Sequence, residues 1–179
     1  LLANWRAELQ RFAPTLIARY AHPSLAEDGA LQQAATDPAA WLRGVDLVLT
    51  SYGMAARLTW LAAVDWSLVV LDEAQAIKNP AARQTRAVKR LKSVSRIALT
   101  GTPVENRLAD LWSLFDFLNP GLLGSAKAFG DFVKRLESRA TDQYAPMRKL
   151  VGPYILRRLK TDKRVIADLP DKTEMAAWC

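Results

Sequence analysis

The sequence predicts an α/β fold: a parallel sheet with flanking helices, followed by a small helical subdomain. Three observations carry that expectation. Short apolar segments recur along the first hundred residues, helical stretches separate them, and after Pro103 the pattern turns helical. Val45–Thr50 (VDLVLT), Leu68–Asp72 (LVVLD) and Val94–Thr100 (VSRIALT) are rich in β-branched or aliphatic residues and bounded by polar or turn residues, the signature of buried strands. Tyr52–Ala63 and Ala81–Lys92 read as the intervening helices, the second starting after Asn79-Pro80. Strand–helix–strand spacing of this kind predicts parallel strands with helices on the sheet. Near-continuous apolar character suits strands covered on both faces.

Beyond Pro103, Asn106–Leu118 (NRLADLWSLFDFL) sets Leu108, Leu111, Trp112, Leu114, Phe115 and Leu118 at helical spacing, and Asn119-Pro120-Gly121 stops it. Ala126–Ser138 and Gln143–Leu156 read as two further helices around Thr141-Asp142. Trp5 and Trp112, spaced helically with leucines, are expected in the core rather than stacked on bases.

Composition narrows the chemistry. A chain of 179 residues, half of them hydrophobic, can bury one proper core with a small appendage. No run reaches the roughly 18 apolar residues of a membrane helix, and Leu58–Leu71 is interrupted by Asp65. The first residues do not read as a secretory signal. One cysteine, Cys179, and one histidine, His22, exclude an internal disulfide and any Cys/His metal cluster within the chain. His22 is expected in a loop, without a catalytic role. A reducing cytoplasm is the expected compartment.

The net charge of +7 is a weak pointer to a polyanion. Its distribution says more: Arg83, Arg86, Lys89, Arg90, Lys92 and Arg96 fall in a stretch without acidic residues. Arg157, Arg158, Lys160, Lys163 and Arg164 form a second cluster opposed only by Asp162. A solvated face explains either as well as a nucleic-acid contact does.

The strand ends carry the functional signal. They read Thr50-Ser51, Asp72-Glu73 and Thr100-Gly101-Thr102. Ligands of parallel α/β sheets bind outside the carboxyl ends of the strands, so hydroxyls, two carboxylates and a glycine turn gather along one edge. That is the composition of a metal–phosphate site. An aliphatic strand ending in Asp-Glu suits a nucleotide hydrolase, the aspartate holding Mg²⁺ and the glutamate orienting or deprotonating water.

Through three longer segments, Val70–Pro80, Leu99–Asn106 and Arg107–Pro120, the sequence resembles the Swi/Snf family of superfamily-two helicase-like ATPases, in its bacterial form. Val70–Pro80 (VLDEAQAIKNP) is similar to the family's Walker B block, with a DEAQ core. Leu99–Asn106 (LTGTPVEN), running into Arg107–Pro120 (RLADLWSLFDFLNP), resembles its third motif and the helix after it. Leu2–Pro14 (LANWRAELQRFAP) resembles the end of motif Ia, and Leu49–Tyr52 (LTSY) resembles motif Ib. Tyr154–Leu169 (YILRRLKTDKRVIADL) resembles the passage out of the first lobe. The resemblance spans nearly the whole chain and is thinnest between Ala21 and Gly44.

The resemblance implies a partial RecA-like parallel sheet in residues 1–104, a helical protrusion in 105–156, and a linker in 157–179 toward a second RecA-like lobe. It implies ATP and Mg²⁺, with Asp72 on the metal and Glu73 as general base. Gln75 would join this site to the facing lobe or to the third motif. Thr100, Gly101 and Thr102 would bind on the nucleotide side and couple the γ-phosphate state to DNA grip. Thr50, Ser51 and Tyr52 would meet the DNA backbone, although a strand end capping the next helix explains them equally well. Arg157 and Arg158 would touch DNA or orient the lobes. Implied partners are double-stranded DNA and a DNA-bound protein such as RNA polymerase, in a bacterial, nucleoid-associated setting, with no membrane.

The family's Gly-Lys-Thr loop has no counterpart here, since no Gly-Lys dipeptide occurs. The expectation is therefore a truncated lobe, inactive by itself, whose sheet has an unfilled slot and exposed edges. A non-catalytic DNA- or protein-binding module is the alternative. A metal-dependent nuclease built on Asp72, Glu73 and Asp110 lacks converging carboxylates.

Overall fold

The computed structural model describes residues 1–101, 108–137 and 145–156. Backbone proximity divides the chain into a first unit, Leu1–Val133, and a second, Lys134–Cys179. Helix α1 (Leu2–Phe12) leads into β1 (Ala18–Tyr20), the short helices α2 (Ala30–Thr36) and α3 (Pro38–Trp41), and β2 (Leu47–Leu49). Helix α4 (Tyr52–Ala55), β3 (Asp65–Leu71), α5 (Arg83–Lys89), β4 (Lys92–Ala98) and α6 (Leu108–Leu118) follow. Helix α7 (Ala126–Glu137) crosses the division, and the second unit holds α8 (Ala145–Val151), which buries Met147 and Val151.

The described strands all pair in parallel, in two separate ladders. β1 lies on β2 with Tyr20 opposite Leu49, and β3 lies on β4 with Leu71 opposite Ala98. Among the described residues, no ladder joins β2 to β3. The helical stretch expected over Tyr52–Ala63 breaks at Leu58 (φ −87°, ψ 82°), leaving α4 and a 3₁₀ turn at Thr59–Ala62. Lys92, expected at a helix end, instead opens β4 opposite Asp65. β1 was not expected, because three mixed residues carry no periodicity of their own and exist as a strand only through pairing.

The core forms on one side of the β3–β4 ladder. Leu71 joins a buried cluster with Ala74, Ile77, Val88, Leu114 and Phe117, against which Val69 and Ala98 also pack. Trp41 and Trp60 extend it, meeting edge to face at 5.5 Å. The other side departs from the expected two-sided burial. Leu68, Val70, Ile97 and Leu99 alternate with the core-facing residues and are each between 40% and 46% exposed. The described helices that pack on this ladder cover one face only.

Helix α6 is fastened to the core by polar groups. The buried Ser113 hydroxyl donates to the Ile77 carbonyl at 2.6 Å. Arg96 donates to the carbonyls of Phe117 (2.7 Å) and Leu91 (2.8 Å), its guanidinium lying over the Phe117 ring. Lys89 pairs with Asp116 at 2.8 Å and sits over Trp112. Lys89 and Arg96 of the basic run therefore fasten α6 to the fold. Among the described residues, no helix is long and apolar enough to cross a membrane.

Candidate active site

The end of β3 turns sharply. The Leu99 amide donates to the Leu71 carbonyl at 2.7 Å and the Ala74 amide donates to the Leu99 carbonyl at 2.9 Å, so the residues after β3 are drawn against the end of β4. Between these bonds stand Asp72 and Glu73. Glu73 has φ 48° and ψ 52°, alone among described non-glycine residues in having positive φ. A left-handed side-chain residue costs about 1–3 kcal/mol and persists where its surroundings over-determine it. Here the two Leu99 bonds and the following 3₁₀ turn, Ala74–Ile77, supply that constraint.

Three groups converge on Asp72. Its Oδ1 accepts from the Glu73 amide at 2.9 Å, and its Oδ2 accepts from the Trp5 indole Nε1 at 2.8 Å. The Tyr52 hydroxyl donates to its main-chain carbonyl at 2.8 Å. Burial, followed by the charges of Asp72 and Glu73, pushes the Tyr52 hydroxyl well above the usual phenol range, so it stays a donor.

The second array runs through Gln75. Its Nε2 donates to Glu73 Oε2 at 2.6 Å, and its Oε1 accepts from the Thr100 hydroxyl at 2.8 Å. One amide thus joins the exposed glutamate to the threonine at the end of β4. Gly101 is exposed beside it, and Thr102 lies outside the described residues, as do Arg157, Arg158 and the rest of the second basic cluster.

The strand-end residues after β2 all have internal bonds. The Thr50 hydroxyl donates to the Ala21 carbonyl at 2.9 Å, and Ser51 Oγ accepts from the Met54 amide at 3.2 Å, capping α4. A phosphate oxygen only accepts, so a side-chain contact needs a spare donor. Of the three hydroxyls, Ser51 keeps one, whereas Thr50 and Tyr52 point theirs inward. His22 lies in a loop against Ser24.

Both tryptophans differ from the expectation of core packing. α1 buries no residue, and the Trp5 indole reaches Asp72 instead. Trp112 is half-buried, donating to the Gly124 carbonyl at 3.0 Å. The signal for Trp5 was its company: Asn4, Arg6, Glu8 and Gln10 make α1 too polar to bury a full face.

Among the described residues no three His, Cys, Asp or Glu side chains converge as a metal cage. Asp72 instead offers one carboxylate with both oxygens oriented and a lone pair left on each. That fits Mg²⁺, which keeps several waters and takes one or two carboxylates along with substrate phosphates.

Fold and site together define a lobe of the superfamily-two helicase-like ATPases, a parallel ladder carrying an acidic pair to the edge where the neighbouring strand ends. The Sulfolobus solfataricus SWI2/SNF2 ATPase core in complex with dsDNA superposes with a TM-score of 0.78 at 43% identity, over 94% of this chain and 34% of that one. The chain belongs to the SNF2-related domain family, whose model matches residues 1–179. It is 42% identical over 177 residues to the putative ATP-dependent helicase/translocase YwqA of Bacillus subtilis, covering 97% of this chain. It is 38% identical over 194 residues to the TATA-binding protein-associated factor mot1 of Schizosaccharomyces pombe, covering all of this chain. The chain spans 18% of the length of the first of these relatives and 9% of the second.

Proposed function

We propose that this chain supplies the water-activating and metal-holding strand ends of a DNA-dependent ATPase motor that translocates on duplex DNA and remodels protein–DNA complexes. The observation that carries this reading is the continuous array Asp72–Glu73–Gln75–Thr100 at the joined ends of β3 and β4. Residues 1–104, with α6 packed into their core, act as the ATPase lobe and the rest of 105–156 as a helical protrusion, with a second lobe completing the site in the full-length protein.

Each residue has a defined task. Asp72 holds the cation, with its carboxylate oriented by the Glu73 amide and the Trp5 indole. When bound, Mg²⁺ neutralises charge that develops on the transferred phosphoryl oxygens. Glu73 takes a proton from water at Oε1, because Oε2 is held by Gln75. Gln75 keeps that carboxylate aimed and, through the Thr100 hydroxyl, ties its position to the segment after β4. Tyr52 ties the end of β3 to the chain after β2, where the Ser51 hydroxyl keeps a donor for a DNA phosphate. The DNA complex of the Sulfolobus core and the translocase name of the Bacillus relative support the choice of duplex DNA as the track.

Translocation has a direct test. The full-length protein, given ATP and a duplex carrying an annealed third strand, is expected to release that strand, and to leave it in place with a non-hydrolysable analogue. A third strand that stays bound while ATP is consumed would remove translocation and leave an ATPase without a track.

A further inference from the structure

Helix α1 contributes almost nothing to the core: it buries no residue, and Phe12 at its end is largely exposed. Its Trp5 nevertheless donates to a carboxylate 67 residues away, at 2.8 Å. Core packing therefore does not account for an indole at this position, and the hydrogen bond does.

We propose that Trp5 is a positioning residue for Asp72, setting the plane of the carboxylate that holds the metal. This rests on the assignment of Asp72 proposed above. A carboxylate held through one oxygen still rotates about its last torsion, which is broad and soft for aspartate. The Glu73 amide fixes Oδ1 at 2.9 Å and Trp5 fixes Oδ2 at 2.8 Å, so both oxygens are set by donors from separate parts of the chain. The chemistry of the donor matters as much as its place. Lys or Arg here would orient the carboxylate but neutralise it, whereas the indole N–H is an uncharged donor without acceptor capacity. It aligns Asp72 and leaves its full negative charge, with one lone pair per oxygen, for a cation. Hydrogen-bond partners behind a metal ligand commonly change metal affinity or activity by about 10–100-fold when removed.

Trp5→Phe keeps a ring and deletes the donor. Because α1 buries no residue, the variant is expected to fold. In the full-length protein the Mg²⁺ concentration for half-maximal ATP turnover is expected to rise about tenfold, with most of the maximal rate recovered at saturating Mg²⁺. Trp112→Phe, which removes an indole donor bonded to Gly124, is expected to leave that midpoint unchanged. The hydrogen bond itself is read without turnover, by fluorine NMR of protein labelled with fluorotryptophan. The resonance lost in Trp5→Phe identifies Trp5, and it is expected to shift in Asp72→Ala. A Trp5 resonance indifferent to Asp72→Ala would overturn the contact. An active wild type with the same Mg²⁺ midpoint in Trp5→Phe, or an equal rise in Trp112→Phe, would overturn the positioning role. A wild type that hydrolyses no ATP would instead sink the assignment of Asp72, and the role of Trp5 with it.

Discussion

Glu73→Gln is expected to lower ATP turnover by roughly 10²–10⁴-fold, the usual loss when a general base is removed, while nucleotide binding survives. The substitution is conservative in shape. Gln75 Nε2, which donates to Glu73 Oε2 at 2.6 Å, can donate equally well to an amide oxygen at the same place. Glu73 is exposed, so the amide needs no new buried partner. The left-handed backbone at this position is held by the Leu99 bonds and not by the carboxylate. What disappears is the capacity to accept a proton at Oε1. Turnover and nucleotide affinity measured side by side separate the outcomes. A variant that binds and hydrolyses ATP as the wild type does would exclude Glu73 as the base.

The second large effect concerns stability. Phe117→Ala is expected to destabilise the first unit by about 3–5 kcal/mol, the range for truncating a buried phenylalanine. Phe117 has no exposed surface and belongs to the same cluster as Leu71, Ala74 and Ile77. Its ring also supports the Arg96 guanidinium, which donates to the Phe117 carbonyl. Natural domains have only about 5–15 kcal/mol in hand, so the loss is a large fraction of the total. A urea denaturation midpoint measures it. A shift worth less than about 1 kcal/mol would mean that the site collapses to fill the cavity.

The position of the candidate site was legible in the sequence because it lies at strand ends, and β3 runs strongly apolar up to it. β3 runs through Leu68, Val69, Val70 and Leu71 into Asp72-Glu73, and pairs in parallel with β4. The helix expected after Pro103 also appears, as α6 over Leu108–Leu118. What the sequence could not carry was anything set by distant pairing. β1 depends on β2 for its existence, and no periodicity reveals that Leu68, Val70, Ile97 and Leu99 lie on an uncovered face. The basic run looked uniform in sequence, yet Lys89 and Arg96 turn inward because Asp116 and the Phe117 carbonyl lie within reach. Spacing could not decide what Thr50, Ser51 and Tyr52 face, since a hydroxyl's direction is set by the nearest acceptor in three dimensions. Trp5 shows the same limit. Its helical spacing with Leu2 and Leu9 suggested a core residue, but the polar character of α1 left the indole to find its partner at Asp72.

The central claim is that Asp72, Glu73, Gln75 and Thr100 serve ATP hydrolysis driven by DNA. The most direct measurement is the steady-state rate of ATP hydrolysis by the full-length protein, with and without duplex DNA at saturating Mg²⁺. The expected result is a low basal rate that rises several-fold or more when duplex is added. Absence of hydrolysis, or a rate indifferent to DNA, would contradict the motor assignment and leave a non-catalytic DNA- or protein-binding module, or a DNA-independent ATPase, in its place.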